Sequence, residues 1–365
     1  MFSVSVHAEE SYPVEIKAKS AILMDASSGK ILMEKNAHEK LPPASVTKVM
    51  PLLLFVEAIE DGKISLSDMV RTSSHSAGKG GSQIWLKEGE EMTVDSLLKA
   101  VAIASANDAC CSLGEYIAGS EKAFIQLMNN RAKELGMNDT TFVNCSGLDD
   151  TDTNYTSAYD IAVMSGELMK HKELVTRYTT VWMDSLRDGK TELVNTNKLV
   201  RFYPGTTGLK TGTTSKAGCC LSATAERDGL HLVAVVMGSE TSTDRFETAR
   251  AMLDWGFSNY ESVTPDINKK LITDVLVVKG EREKITPEIP EVKSVLVKKG
   301  RSGDIKQTVS VSVGVNAPVE KGQTLGTVEF TLDGEVLGKY NLLSPVNVDS
   351  LKLPLAFKRL LMMLV

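Results

Sequence analysis

The stretch Leu41-Pro-Pro-Ala-Ser45-Val-Thr-Lys48-Val-Met50 leads from a proline-stiffened loop into the apolar run VTKVMPLLLFVEAI, the pattern of a chain entering a core helix. On a helix, residues three apart share one face with Cβ atoms roughly 5–6 Å apart, so the Lys48 amine can reach the Ser45 hydroxyl. A serine hydroxyl is a weak nucleophile until a base takes its proton. A lysine can be that base if burial or neighbouring cations lower its pKa toward neutrality. A helix start also aims unpaired N–H groups and the positive dipole end at developing negative charge. Taken alone, the same residues read more simply as an N-cap followed by a solvated first-turn lysine.

The spacing S-x-x-K occurs four times, at Ser27/Lys30, Ser45/Lys48, Ser76/Lys79 and Ser96/Lys99. Local chemistry separates them. Ser27 and Lys30 flank Gly29 in a hairpin turn, and Ser76/Lys79 lies in a glycine-rich loop ending in Gly78, Gly80 and Gly81, so neither is expected to be helical. Ser96/Lys99 falls inside VDSLLKAVAIA, which reads as a buried helix with no cleft. Only Ser45 opens a core helix after a stiff loop.

Two further elements follow in order. Ser105-Ala-Asn107 lies about 60 residues after Ser45, between the helix-like segments TVDSLLKAVAIAS and NDACCSLGEYIAG, and Lys210-Thr-Gly212 lies about 105 residues further on. Capping alone would explain Ser105 and Asn107. As chemistry, Ser105 offers a hydroxyl relay between a lysine and a leaving nitrogen, and Asn107 an amide for a peptide backbone. Lys210-Thr211-Gly212 reads as a strand at a sheet edge, preceding the apolar runs AGCCLSATA and LHLVAVVMG. There Gly212 permits close approach of a bound peptide, Lys210 supplies positive charge, and Thr211 a donor for a terminal carboxylate.

With these residues in view, the chain resembles the low-molecular-mass penicillin-binding proteins that act as serine-type D-alanyl-D-alanine carboxypeptidases. The likeness runs from about residue 15 to the C-terminus through AILMDASSGKIL, LPPASVTKVM, GSQIWLKEGEEMTVDSLL, ASANDA, TFVNCSGLDD, GLKTGTT and DRFETARAMLDWGF. The resemblance implies an acyl-enzyme on Ser45, Lys48 as general base, Ser105 as relay, and Lys210 with Thr211 holding the substrate carboxylate. It further implies an oxyanion hole from the Ser45 and Thr213 backbone N–H groups, with Arg245 supporting the carboxylate site. For Arg245 an exposed first-turn helix position is the plain alternative. Asp160 matches an acid near the active-site loop, with solvation on a helix face as its alternative. Many relatives carry histidine after K-T-G where this chain has Thr213.

The remaining residues set the frame. At 365 residues two domains are expected, and 42% hydrophobic against 24% charged residues suffices for a substantial core. A net charge of −6 implies no general nucleic-acid affinity, and no dinucleotide fingerprint, phosphate loop or repeat occurs. The five cysteines include the adjacent pairs Cys110-Cys111 and Cys219-Cys220, which suits buried thiols better than a disulfide framework. Neither they nor His7, His38, His75, His171 and His231 show metal-ligand spacing, so no metal site and no cofactor are expected. The opening MFSVSVHAEE resembles the tail of an export signal, and export to the outer face of the cytoplasmic membrane is expected chiefly from the resemblance.

Periodicity predicts an N-terminal hairpin, helices near 45–60, 93–104, 107–118 and 120–135, strands near 209–237 and a helix over about 243–258. This order favours an α+β fold. The resemblance implies an antiparallel sheet flanked by helices, plus a helical lobe. The expected division is 1–14 leader, 15–261 catalytic domain, 262–350 β-rich domain without catalytic signals, and 351–365 an amphipathic membrane anchor. The function expected is removal of the terminal D-alanine from peptidoglycan stem peptides ending in D-Ala-D-Ala, with β-lactams acylating the same serine. Two alternatives are a class A-like β-lactamase, disfavoured because residues 140–165 contain aspartates but no glutamate, and a catalytically idle wall-sensing module.

Overall fold

The runs Gly218–Arg227 and Leu230–Ser239 are largely apolar without a clean alternation, as strands covered on both faces must be, and Thr206–Thr214, though polar in composition, is buried over 208–212. In a computed structural model describing residues 12–148 and 153–353, they form a five-stranded antiparallel sheet with the hairpin Ser20–Asp25 and Ile31–Lys35. The order across the sheet is Ile31–Lys35, Ser20–Asp25, Leu230–Ser239, Gly218–Arg227, Thr206–Thr214, which leaves the Lys210 strand at an edge.

Successive strand residues point to opposite faces. Leu23 and Leu232 meet the helix Ser242–Asn259 at Gly256, whereas Met24 meets the helix Ala158–Met169 at Gly166. Helices thus cover both sides. The helical lobe comprises Val49–Glu60, Val94–Ile103, Asn107–Ala118 and Glu121–Glu134, with Ser120 capping the last through the Ala123 N–H and Gly136 turning the chain at φ +73°. Phe55 and Phe124 stack at the centre of that lobe, ring centroids 5.3 Å apart. The arrangement is the α+β, penicillin-binding-type fold.

One local expectation is corrected. Ser76 is helical, not in a loop, because Ser73 and Ser76 close a reciprocal capping box that nucleates the turn Ser74–Ala77. The Ser27/Lys30 pair lies in the hairpin turn, where Asp25 accepts from the Ser28 N–H at 2.9 Å. Ser96 and Lys99 lie on the helix Val94–Ile103, Lys99 pairing with Asp184 at 3.3 Å.

The chain divides between Asn259 and Tyr260. The second unit is built of small sheets, among them Lys306–Val311, Thr324–Leu332 and Glu335–Leu343, around Val328, Phe330 and Leu342. A second cluster gathers Val275, Val277, Ile285, Val319, Leu325 and Val348. Of the expected anchor 351–365, residues 354–365 lie outside the described residues, as does most of the expected leader 1–14.

The helix–sheet contact yields a test. A methyl at Gly256 would stand 2.6 Å from Leu232 Cδ1 and 3.0 Å from Leu23 Cδ2. Gly256→Ala is expected to cost about 1–3 kcal/mol by overpacking, read as a lower urea midpoint.

Candidate active site

Pro43 and Ala44 deliver the chain into a 3-10 turn, Ala44–Lys48, that runs into the helix Val49–Glu60. Ala44 takes φ +48°, an unusual value for a side-chain-bearing residue, and within 43–50 only Ser45 is not buried. The tighter turn still keeps residues three apart on one face. Lys48 Nζ donates to Ser45 Oγ at 3.0 Å and to the Ser146 carbonyl at 2.8 Å. Lys48 is fully buried, and burial pulls its ammonium down to about 8 against the opposing influence of Cys110, Cys145 and Asp108.

The Lys210 strand passes directly over this turn. A Cβ on Gly212 would lie 2.6 Å from the Pro43 carbonyl and 2.9 Å from the Ser45 nitrogen, so only glycine lets the strand come this close. Lys210 is buried, its Nζ donating to the Thr211 carbonyl at 3.0 Å, while Thr211 Oγ1 donates to Thr196 Oγ1 at 2.7 Å. Burial, then the charges of Lys48 and Arg245, push Lys210 well below the ordinary lysine value. An incoming carboxylate would offset all three effects.

Arg245 is buried, not an exposed helix residue. From the helix Ser242–Asn259 its Nη1 donates to the Gly212 carbonyl at 2.9 Å, to Thr213 Oγ1 at 2.9 Å and to the Cys220 carbonyl at 3.2 Å. Thr213, exposed at the end of the run, donates its hydroxyl to the Gly212 carbonyl at 2.8 Å.

Ser105 lies on the connection between the helices Val94–Ile103 and Asn107–Ala118 at φ +63°, and Asn107 opens the second helix. Both are buried, yet Ser105 Oγ and Asn107 Oδ1 have no hydrogen-bond partner among the described residues. Buried orphans of this kind are costly and point to a group that arrives later. Asn107 Nδ2 is spent on the Gly80 carbonyl at 2.7 Å. The structure thus joins Ser45 to Lys48, and Arg245 to the Gly212–Thr213 segment over the same turn.

Four contributors escaped sequence reasoning. Ser146 supplies the carbonyl for Lys48, and Gly147, at φ +80°, would place a Cβ 1.8 Å from the Ala44 carbonyl. Asn154 Nδ2 reaches Thr47 Oγ1 at 3.0 Å, and the buried Asp108 carboxylate accepts from the Ile84, Leu86 and Ala109 N–H groups. The run Asn144-Cys-Ser-Gly147 carries a turn signal, but nothing in it says which strand or helix it meets. Asp160 is buried rather than solvated and accepts from the Asp139 N–H at 2.9 Å and Thr140 Oγ1 at 2.7 Å. Burial raises its carboxyl above the ordinary value. Behind Lys48 lie three thiols, where hydrogen bonds with Cys110 and Cys111 draw Cys145 below the ordinary thiol value.

This geometry belongs to a known class of serine hydrolase. Residues 5–241 match the family model described as D-alanyl-D-alanine carboxypeptidase, and residues 260–350 that of the penicillin-binding protein 5 C-terminal domain. The chain belongs to the D-alanyl-D-alanine carboxypeptidase family, and it is a serine peptidase. It is 46% identical over 327 residues to the D-alanyl-D-alanine carboxypeptidase DacF of Bacillus subtilis, covering 88% of this chain and 84% of that relative. Among solved structures it resembles penicillin-binding protein 5 of Haemophilus influenzae, with TM-score 0.79, 29% identity, and coverage of 93% of this chain and 100% of that one. It also resembles ampicillin-bound penicillin-binding protein D2 of Listeria monocytogenes, with TM-score 0.61, 31% identity, and coverage of 66% and 98%.

Gly147→Ala is expected to push the 144–148 loop off Ala44 and displace the carbonyl that holds Lys48. The positive φ and the backbone clash together predict a loss of about 2 kcal/mol or more in stability. Acylation by a fluorescent penicillin should fall in parallel, which gel labelling measures.

Proposed function

We propose that the chain hydrolyses the terminal D-alanine from peptidoglycan stem peptides ending in D-Ala-D-Ala, and that Ser45 carries the acyl intermediate. The observation behind this is the buried Lys48 amine 3.0 Å from Ser45 Oγ, with its pKa drawn to about 8. At that value a useful fraction of Lys48 is neutral near physiological pH and can accept the serine proton. Ser45 Oγ bonds to the penultimate carbonyl carbon, and the resulting oxyanion faces the Ser45 and Thr213 N–H groups. The C–N bond then breaks, and the departing D-alanine amine takes a proton from Lys48 through the Ser105 hydroxyl. Water attacks the ester by the reverse relay, returning Ser45.

Lys210, Thr211 and Thr213 face the substrate carboxylate in this reading. Arg245 positions that strand end through its three acceptors, and the unpartnered Asn107 Oδ1 receives a substrate backbone N–H. A β-lactam follows the same acylation path and stays on Ser45. The absence of any glutamate in 140–165 supports a slow release of that adduct rather than lactamase turnover. The wall-sensing alternative draws nothing from the site, in which nucleophile and base are hydrogen-bonded.

Two outcomes test the reading. The rate constant for penicillin acylation of Ser45, followed by mass spectrometry, should rise about tenfold per pH unit below 8 and level off above it, since only neutral Lys48 acts as base. Lys48→Arg, which stays charged, should lower it by about 10²-fold or more. A flat pH profile, or D-alanine release unaffected by Lys48→Arg, would remove Lys48 from the role of base.

Among the described residues no helix is long and apolar enough to cross a membrane. We infer an extracytoplasmic site of action, with 351–365 attaching the chain to the membrane surface. Lys352, Lys358 and Arg359 stand among many apolar residues there, a composition suited to lying at the headgroup level. Full-length chain should sediment with anionic liposomes and the 1–350 chain should stay in solution; equal soluble fractions would defeat the anchor.

A further inference from the structure

Sequence spacing hides one cluster entirely. Cys111, Glu121 and Cys145 bring their ligand atoms within 4.8 Å of one another, and His75, Cys111 and Glu115 do the same. Glu121 joins the two sets, accepting from His75 Nε2 at 2.7 Å through Oε2 and from the Cys145 thiol at 3.1 Å through Oε1. The four elements involved are the Ser74–Ala77 turn, the Asn107–Ala118 helix, the first turn of the Glu121–Glu134 helix and the loop before Ser146. None of this set is used by the reaction described above.

We propose that His75, Cys111, Glu121 and Cys145 form a four-coordinate site for a soft divalent cation of the zinc class. Two thiolates, an imidazole and a carboxylate are the donors such ions select. A tetrahedral ion with bonds of roughly 2.0–2.3 Å holds its ligand atoms about 3.3–3.8 Å apart, so Cys111, Glu121 and Cys145 need close in by only about 1 Å, and His75, within 4.8 Å of Cys111 and 2.7 Å from Glu121, turns in as the fourth ligand. The charges also balance. Binding releases the two thiol protons to solvent, and two thiolates plus one carboxylate around a dication leave one negative charge. Lys79, whose Nζ lies 2.5 Å from Glu121 Oε2, is in place to neutralise it. The sulfurs are buried, but the His75 side chain is 57% exposed, so an ion reaches them from solvent past the imidazole.

The site abuts the active centre through one peptide link. Cys145 precedes Ser146, whose carbonyl accepts from Lys48. A bound ion would clamp the loop that holds the base and raise the melting temperature as a ligand of the native state.

The test uses the full chain, reduced and stripped with a chelator, titrated first with cadmium and then with zinc. One cadmium per chain with a cadmium–thiolate charge-transfer band, displaced by zinc, is expected. Cys111→Ser and Cys145→Ser should each weaken cadmium binding by about tenfold or more, and a Cys219→Ser/Cys220→Ser chain should bind as before. If a core cysteine variant fails to fold, the exposed His75→Ala must still weaken binding, with penicillin labelling of Ser45 reporting an intact fold. No band, a band that follows Cys219 and Cys220, binding unchanged in His75→Ala, or a Cys111–Cys145 disulfide that persists under reductant would each overturn the proposal.

Discussion

The site depends on keeping one ammonium group, that of Lys48, out of water. Lys48 is wholly buried, yet its Nζ has two oxygen acceptors, Ser45 Oγ and the Ser146 carbonyl, at hydrogen-bond distance. Desolvation of a charge costs several kcal/mol, and here that cost is turned into a lowered pKa rather than removed by an ion pair. A carboxylate partner would have restored the lysine to its ordinary range and left the serine without a base. The nearest acid that raises it, Asp108, is instead occupied with the Ile84, Leu86 and Ala109 N–H groups.

Keeping that lysine dry requires three backbone segments to meet without side chains between them. The Ala44–Lys48 turn, the Lys210 strand and the 144–148 loop touch at Gly212 and Gly147, where any Cβ would collide with backbone atoms. The same contact brings Lys210 close enough for the charge of Lys48 to depress it. In the proposed reading, two buried amines of lowered pKa and two polar atoms unpartnered among the described residues, Ser105 Oγ and Asn107 Oδ1, await an anionic peptide terminus. Binding then supplies both the missing charge and the missing hydrogen bonds.

Thr213 is held at the strand end by two partners. Its hydroxyl is gripped between the Gly212 carbonyl and the Arg245 guanidinium. Arg245 in turn ties the strand end to the Cys220 carbonyl on the neighbouring strand. The edge strand is therefore held by its own sheet and by a helix beyond it.

The helices and strands were largely legible because their apolar periods are strong. Ser120 and Gly136 mark the ends of the Glu121–Glu134 helix by cap chemistry, and the turn Arg227-Asp228-Gly229 separates the last two strands of the sheet. Ser45 and Lys48 were legible too, since their meeting is a matter of three residues of local geometry. Ser76 was misread because a capping box outweighed the glycines that follow it. What no local rule contains is which distant atoms close the site: the Ser146 carbonyl 98 residues from Lys48, the Arg245 guanidinium 33 residues from Gly212, and the thiol of Cys145 near Cys111. Those meetings depend on how the sheet, the lobe and the loops pack, and packing is decided by the whole buried surface at once. Sequence alone indicated the elements and the meeting of Ser45 with Lys48; tertiary structure alone determined the dryness of Lys48, because desolvation is a property of everything around a charge.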